Sequence, residues 1–322
     1  LRQRRCHFLF LALLAGAVFG GLAMCGVPRR GAAAAPLEDA RMASEPLPPT
    51  LCVDRFEPLG HELLTLLRSL DRADWERPTI AGSWRVRDVA AHLLDTACRR
   101  VSLERDGVGL PPPEAPLTGD ADLVAYLNRR NAEWVEACRR LSPAFLTTWM
   151  TDVEPRLAGV LRSLDPWSPA RYGVSWAGEE TSLNWFDTAR ELTERWHHQE
   201  QIRIAVGAPS LDDPFHVGPV MDAFLRALPF RYRAVEASEG TRIGLHLRGR
   251  YELRYVLLRA PAGWELRRGS EDRLDASLVT TTAVAWRSLT RGLSSNDART
   301  QSEVSGRAAL LEPFFGALAI VG

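Results

Sequence analysis

From about Cys52 onward, apolar residues recur three or four positions apart. Phe56, Leu59, Leu63, Leu66, Leu67 and Leu70 fall on one side of a 3.6-residue spiral, which predicts an amphipathic helix. A turn-rich link follows, carrying Asp74-Trp75 and Gly82-Ser83-Trp84. A second helix is predicted over about 86–105, with Val86, Val89, Ala90, Leu93, Ala97 and Val101 on its apolar side. The proline run 111–113 reads as loop. Further helical segments are predicted over about 120–141 and 143–164, and a long one over about 182–206, stopped by Gly207. Long helices joined by loops of moderate length suggest an antiparallel four-helix bundle, an architecture that builds metal sites from facing helices.

Beyond Pro209 the pattern changes. Residues 214–228 read as helix, and residues 241–248, 251–258 and 263–267 then alternate apolar with polar. Alternation of period two predicts successive strands of an antiparallel sheet, with a hairpin turn at 260–263. Residues 283–291 and 308–319 return to a helical pattern. The chain is therefore expected to be α+β, a helical domain over 50–208 followed by a small α/β domain over 212–322. A length of 322 residues suits two domains.

Residues 1–41 differ from the rest. Arg2, Arg4 and Arg5 precede an uncharged apolar run over 8–27, followed by Arg29, Arg30 and an alanine-rich stretch. The pattern is that of a signal peptide or signal anchor, long enough to span a bilayer. A second reading treats this leader as a non-native upstream segment, with Met42 as the natural start. The expected location is the cytoplasm, with export or membrane anchoring through residues 1–41 as the alternative.

Composition changes the picture in two places. Forty basic and forty acidic residues balance, which removes the electrostatic argument for a nucleic-acid partner. All forty basic residues are arginine, so Schiff-base and P-loop lysine chemistry are excluded. Five cysteines without a CxxC pair suggest neither a disulfide framework nor a structural zinc knot, and Cys98 and Cys138 read as buried thiols within helices. GxSxG, Walker A, GxGxxG and HExxH motifs are all absent.

The candidate chemistry lies in Glu191-Leu-Thr-Glu194-Arg-Trp-His-His198. Four residues separate Glu194 from His198, which puts both on one side of the last bundle helix. His92 lies about a hundred residues earlier, at the edge of the second helix's apolar arc. Two imidazoles and one carboxylate suit zinc or another divalent first-row metal, with coordination positions left open for water or substrate. Asp88 and Glu191 are candidates to orient an imidazole from behind. His197 points about 100° away from His198 and is not expected to ligate. The competing reading is a solvated acidic face on which Glu194 and His198 form an ordinary surface pair. Against it, Ile202 and Ala205 continue the same side of the helix.

Trp84-Arg-Val-Arg-Asp88-Val-Ala-Ala-His92-Leu, Leu127-Asn-Arg-Arg-Asn131-Ala-Glu-Trp134 and Glu194-Arg-Trp-His-His198 together resemble the mycothiol-dependent maleylpyruvate isomerase family, within the DinB-like metalloenzyme superfamily. The resemblance covers about residues 50–322. It implies a DinB-like four-helix bundle followed by a small sterol-carrier-like α/β domain. It also implies a divalent metal, usually zinc, on His92, Glu194 and His198, with an arginine from the second domain completing the site. Arg291 and Arg307 are the candidates for that arginine. The implied activity is a transferase or isomerase that uses mycothiol or a similar thiol on a small electrophilic substrate. A non-catalytic metal-binding or regulatory protein and a metal-activated hydrolase are the alternatives.

Overall fold

The computed structural model of the chain describes residues 43–320. Both readings of the leader concern residues outside that range. A two-residue strand, β1 (Glu45–Pro46), leads into α1 (Phe56–Ser69), which buries Leu59, Leu63, Leu66 and Leu67 as its spacing predicts. α2 (Val86–Asp106) begins where the Asp88 carboxylate reaches back to accept from the Arg85 N–H at 3.1 Å. It ends at Gly107, whose left-handed backbone (φ 71°) lets its N–H close on the Leu103 carbonyl.

α3 (Asp120–Cys138) and α4 (Pro143–Ser163) follow, the latter capped by the Ser142 hydroxyl, which accepts from the Phe145 N–H. α5 (Asn184–Val206) stops at Gly207 in the same left-handed conformation as Gly107. Among these helices, α1 packs on α4 and α5, and α2 packs on α4 and α5. Those four make the bundle, and α3 lies outside it against α2. α2 and α5 run antiparallel, since Arg100 pairs with Asp187 while His92 meets Glu194.

α6 (Pro214–Leu225), capped by Asp213, and the short α7 (Ala227–Arg231) divide the single helix expected over 214–228. The strands are β2 (Arg242–Arg248), β3 (Leu253–Ala260), β4 (Gly263–Arg268), β5 (Ala276–Thr281) and β6 (Glu303–Gly306). α8 (Thr282–Leu289) and α9 (Ser295–Thr300) lie between the last two, and α10 (Glu312–Phe315) closes the described chain.

The sheet order is β1-β4-β3-β2-β5-β6. β2, β3 and β4 pair antiparallel, with Ala260 opposite Gly263 at the expected hairpin. β5 pairs parallel to β2, so the sheet is mixed and six-stranded instead of the purely antiparallel one expected. The helix expected over 308–319 is only a 3-10 turn and the four-residue α10.

Apolar packing continues from the bundle into the sheet-bearing half. Trp196 of α5 meets Trp286 of α8 edge-on, with ring centroids 5.7 Å apart. The fold thereby anchors the outer side of α5 and leaves its other side facing α2.

Candidate metal centre

α2 and α5 face each other at His92, Glu194 and His198. His92 Nε2 lies 2.9 Å from Glu194 Oε1, and His198 Nε2 lies 3.2 Å from the same oxygen. Among the described residues these three form a cluster able to hold a metal ion, with all ligand atoms within 4.8 Å of one another. The two imidazole rings meet edge-on, 4.7 Å between centroids. Both histidines are buried, whereas the Glu194 side chain keeps 24% of its surface, so solvent reaches the cluster from the carboxylate side.

The backing of the cluster is rigid. Arg195, next to Glu194, is buried. It donates to the Leu93 carbonyl at 3.2 Å and pairs with Glu154 of α4, tying three bundle helices together behind the site. His198 Nδ1 meets Gln201 Oε1 at 2.7 Å. Gln201 is buried one turn further along α5 and accepts the Nδ1 proton, which leaves the Nε2 lone pair aimed at the cluster. Among the described residues His92 Nδ1 is buried without a hydrogen-bond partner, and the indole of Trp84 lies against the His92 ring with centroids 5.0 Å apart.

Electrostatics favour a neutral His92 imidazole and an ionised Glu194 carboxylate. Burial pushes His92 down to about 4, against the opposing hydrogen bond from Glu194. Burial also opposes the Glu194 charge. The nearby His198 and the hydrogen bonds from both histidines outweigh it and hold the carboxyl well below its usual range.

Protons alone serve this arrangement poorly. Both Nε2 atoms face one carboxylate oxygen, yet His198 already donates from Nδ1, so a second N–H there requires an imidazolium in a buried setting. Three converging lone-pair donors at 2.9 and 3.2 Å are spaced like ligands sharing one divalent ion at about 2.1 Å from each. The residues fit a metal.

The solvated-face reading fails. Asp187 is fully buried between Arg100 (2.6 Å) and Arg190 (2.8 Å), and Glu191 is buried beside Arg190 at 3.5 Å. His197 turns away, as expected, with Nδ1 2.8 Å from the Thr193 carbonyl. Asp88 does not orient an imidazole, because its carboxylate is taken by Arg139 and the Arg85 N–H. Glu191 likewise has its ion-pair contact with Arg190. Gln201 occupies the position proposed for them. Its only sequence signal was a polar amide three residues after His198.

Cys138 is buried, while Cys98 is only partly so, and burial raises both thiols. Arg307 pairs with Asp275 at 2.8 Å on the rim of a surface pocket shared with Arg242 and Arg273. Arg291 is exposed in the turn after α8, with a left-handed backbone (φ 60°) that a non-glycine residue rarely adopts. The next residue, Gly292, abuts the loop before α2: a Cβ there would sit 3.5 Å from Ile80 Cδ1.

The bundle and its three convergent ligands define a helical protein with a candidate metal centre. Residues 56–203 match the family model described as the mycothiol maleylpyruvate isomerase N-terminal domain. Over that stretch the chain is similar to the N-terminal domain of the mycothiol maleylpyruvate isomerase family. Two solved structures are similar at 14% identity. One is a histidine-to-alanine mutant of a mycothiol-dependent maleylpyruvate isomerase, covering 80% of this chain and 93% of that one with a TM-score of 0.47. The other is a mycothiol-dependent maleylpyruvate isomerase, covering 75% and 88% with a TM-score of 0.45. No curated protein matches the sequence.

Proposed function

We propose that this protein is a divalent-metal-dependent enzyme that uses a low-molecular-weight thiol to isomerise, or transfer the thiol to, a small electrophilic substrate. Its two domains would be 50–208 and 212–322, and its location the cytoplasm. The observation that carries the reading is the convergence of His92, Glu194 and His198 on one point, with Glu194 partly open to solvent. The similarity of residues 56–203 to the mycothiol maleylpyruvate isomerase N-terminal domain supports mycothiol as the thiol and a maleylpyruvate-like compound as the substrate. Among the described residues no helix is long and apolar enough to cross a membrane.

His92, Glu194 and His198 would hold the metal, with zinc the best match to two imidazoles and a carboxylate. When bound, such an ion supplies a positive charge that keeps a thiol in its nucleophilic, deprotonated form. Gln201 keeps His198 in the tautomer that ligates through Nε2. Arg291 is the better candidate for holding a substrate carboxylate, because its exposed turn abuts the loop carrying Trp84 and its backbone is strained. Arg307 is already paired with Asp275. The proposed reaction is addition at a conjugated double bond, rotation about the resulting single bond, and elimination that restores the double bond without net gain or loss of atoms.

The test is turnover of maleylpyruvate by zinc-loaded protein with and without mycothiol. Thiol-dependent isomerisation is expected, with the Arg291→Ala variant weakened chiefly in substrate binding. Hydrolysis without thiol would instead make the protein a metal-activated hydrolase. Full metal occupancy with neither activity would favour a binding or regulatory role.

A further inference from the structure

We propose that Trp84 is the platform on which a planar, conjugated carboxylate stacks beside the metal centre. This rests on the reading above that the site takes a small electrophile, and it names the class. The Trp84 ring is 5.0 Å from His92 and 6.4 Å from His198, so one indole borders both imidazoles of the cluster. Both histidines are buried while Trp84 is only half-buried, so part of the indole remains available.

Its loop holds it still. Pro78 and Arg85 form an antiparallel bridge, and the Thr79 N–H and hydroxyl both donate to the Trp84 carbonyl, at 3.0 and 2.8 Å. The Trp84 N–H donates to the Ala81 carbonyl at 3.1 Å, closing a turn that Gly82 completes with φ 61°. A ring carried on a backbone fixed in this way needs less ordering when a ligand stacks on it than one on a loose loop. The same loop meets the Arg291–Gly292 turn through Ile80, since a Cβ on Gly292 would sit 3.5 Å from Ile80 Cδ1. A π-face beside a cation site, with an exposed arginine on the adjoining turn, suits a flat unsaturated acid better than a saturated chain.

The experiment compares trans,trans-muconate with adipate by calorimetry on the zinc-loaded full chain, without thiol. Both are six-carbon dicarboxylates of equal charge, and only the first is planar and conjugated. The wild type is expected to prefer muconate by about threefold to tenfold, the worth of one aromatic contact. Trp84→Leu should abolish that preference at unchanged metal content, and Trp84→Phe should keep it. No preference in the wild type, or a preference that survives in Trp84→Leu, would overturn the proposal. So would equal loss of metal from both variants, which would make Trp84 a cover for the ligands. Because no turnover or thiol is needed, absence of isomerase activity would count against the function proposed above and leave this result standing.

Discussion

At the scale of single residues, Gln201 and His197 separate two uses of a buried polar side chain beside one cluster. Gln201 accepts from His198 Nδ1 and so fixes which nitrogen can ligate. Gln201→Leu is expected to weaken metal affinity about 10-fold to 100-fold, the usual cost of removing such a support, as read by competition with a chelator. His197 faces away and is kept neutral, since burial pushes it down to about 3. In the unfolded chain a histidine takes its proton near pH 6.5. The unfolded state therefore gains protons that His197 refuses, and stability falls as pH drops from about 6.5 toward 3, by up to about 1.4 kcal/mol per pH unit. Metal-stripped His197→Gln should show a shallower loss of melting temperature between pH 7 and pH 5 than the wild type. Glu194 and His198 were legible as a pair because i,i+4 spacing is a local property of a helix, whereas His92, on another helix, was joined to them chiefly by the family resemblance. Gln201 was not legible, because an amide near a histidine has no distinctive sequence signal, and the Asp88 and Glu191 carboxylates looked equally able to serve.

At the scale of elements, α5 is a helix buried nearly all round, and this explains why its acidic side was ambiguous. Asp187, Glu191 and Glu194 read as a solvated stripe until Arg100 from α2 and Arg190 from α5 itself are set against them. The Arg100 pairing depends on how α2 docks, and helical periodicity cannot supply that. Asp187 keeps its charge because Arg190 and Arg100 outweigh the burial that opposes it. Asp187→Asn would take from buried Arg100 its nearest carboxylate, leaving Glu104 at 3.4 Å, and a loss of about 3 kcal/mol is expected from urea unfolding. The sheet was only half legible for a similar reason. β2, β3 and β4 alternate cleanly and are joined by short turns. β5 instead runs straight into α8, with Thr281 serving as the helix cap, so no glycine or proline marks its end. β1 and β6 are two and four residues long, too short to show a period.

At the scale of the whole molecule, the bundle supplies the ligands and the sheet-bearing half packs against the back of the helix that carries two of them. Trp196 and Trp286 make that junction and are both buried. Trp286→Ala is expected to cost about 3–5 kcal/mol by guanidinium unfolding, because a large cavity would open beside α5. The central claim is that His92, Glu194 and His198 together hold one divalent ion. It is tested most directly by measuring bound metal in the purified wild type, His92→Ala and Glu194→Gln, each with its far-ultraviolet circular dichroism to verify folding. The account predicts one ion per wild-type chain and little or none in either folded variant. A wild type without stoichiometric metal, or a folded variant that keeps its full complement, would contradict it.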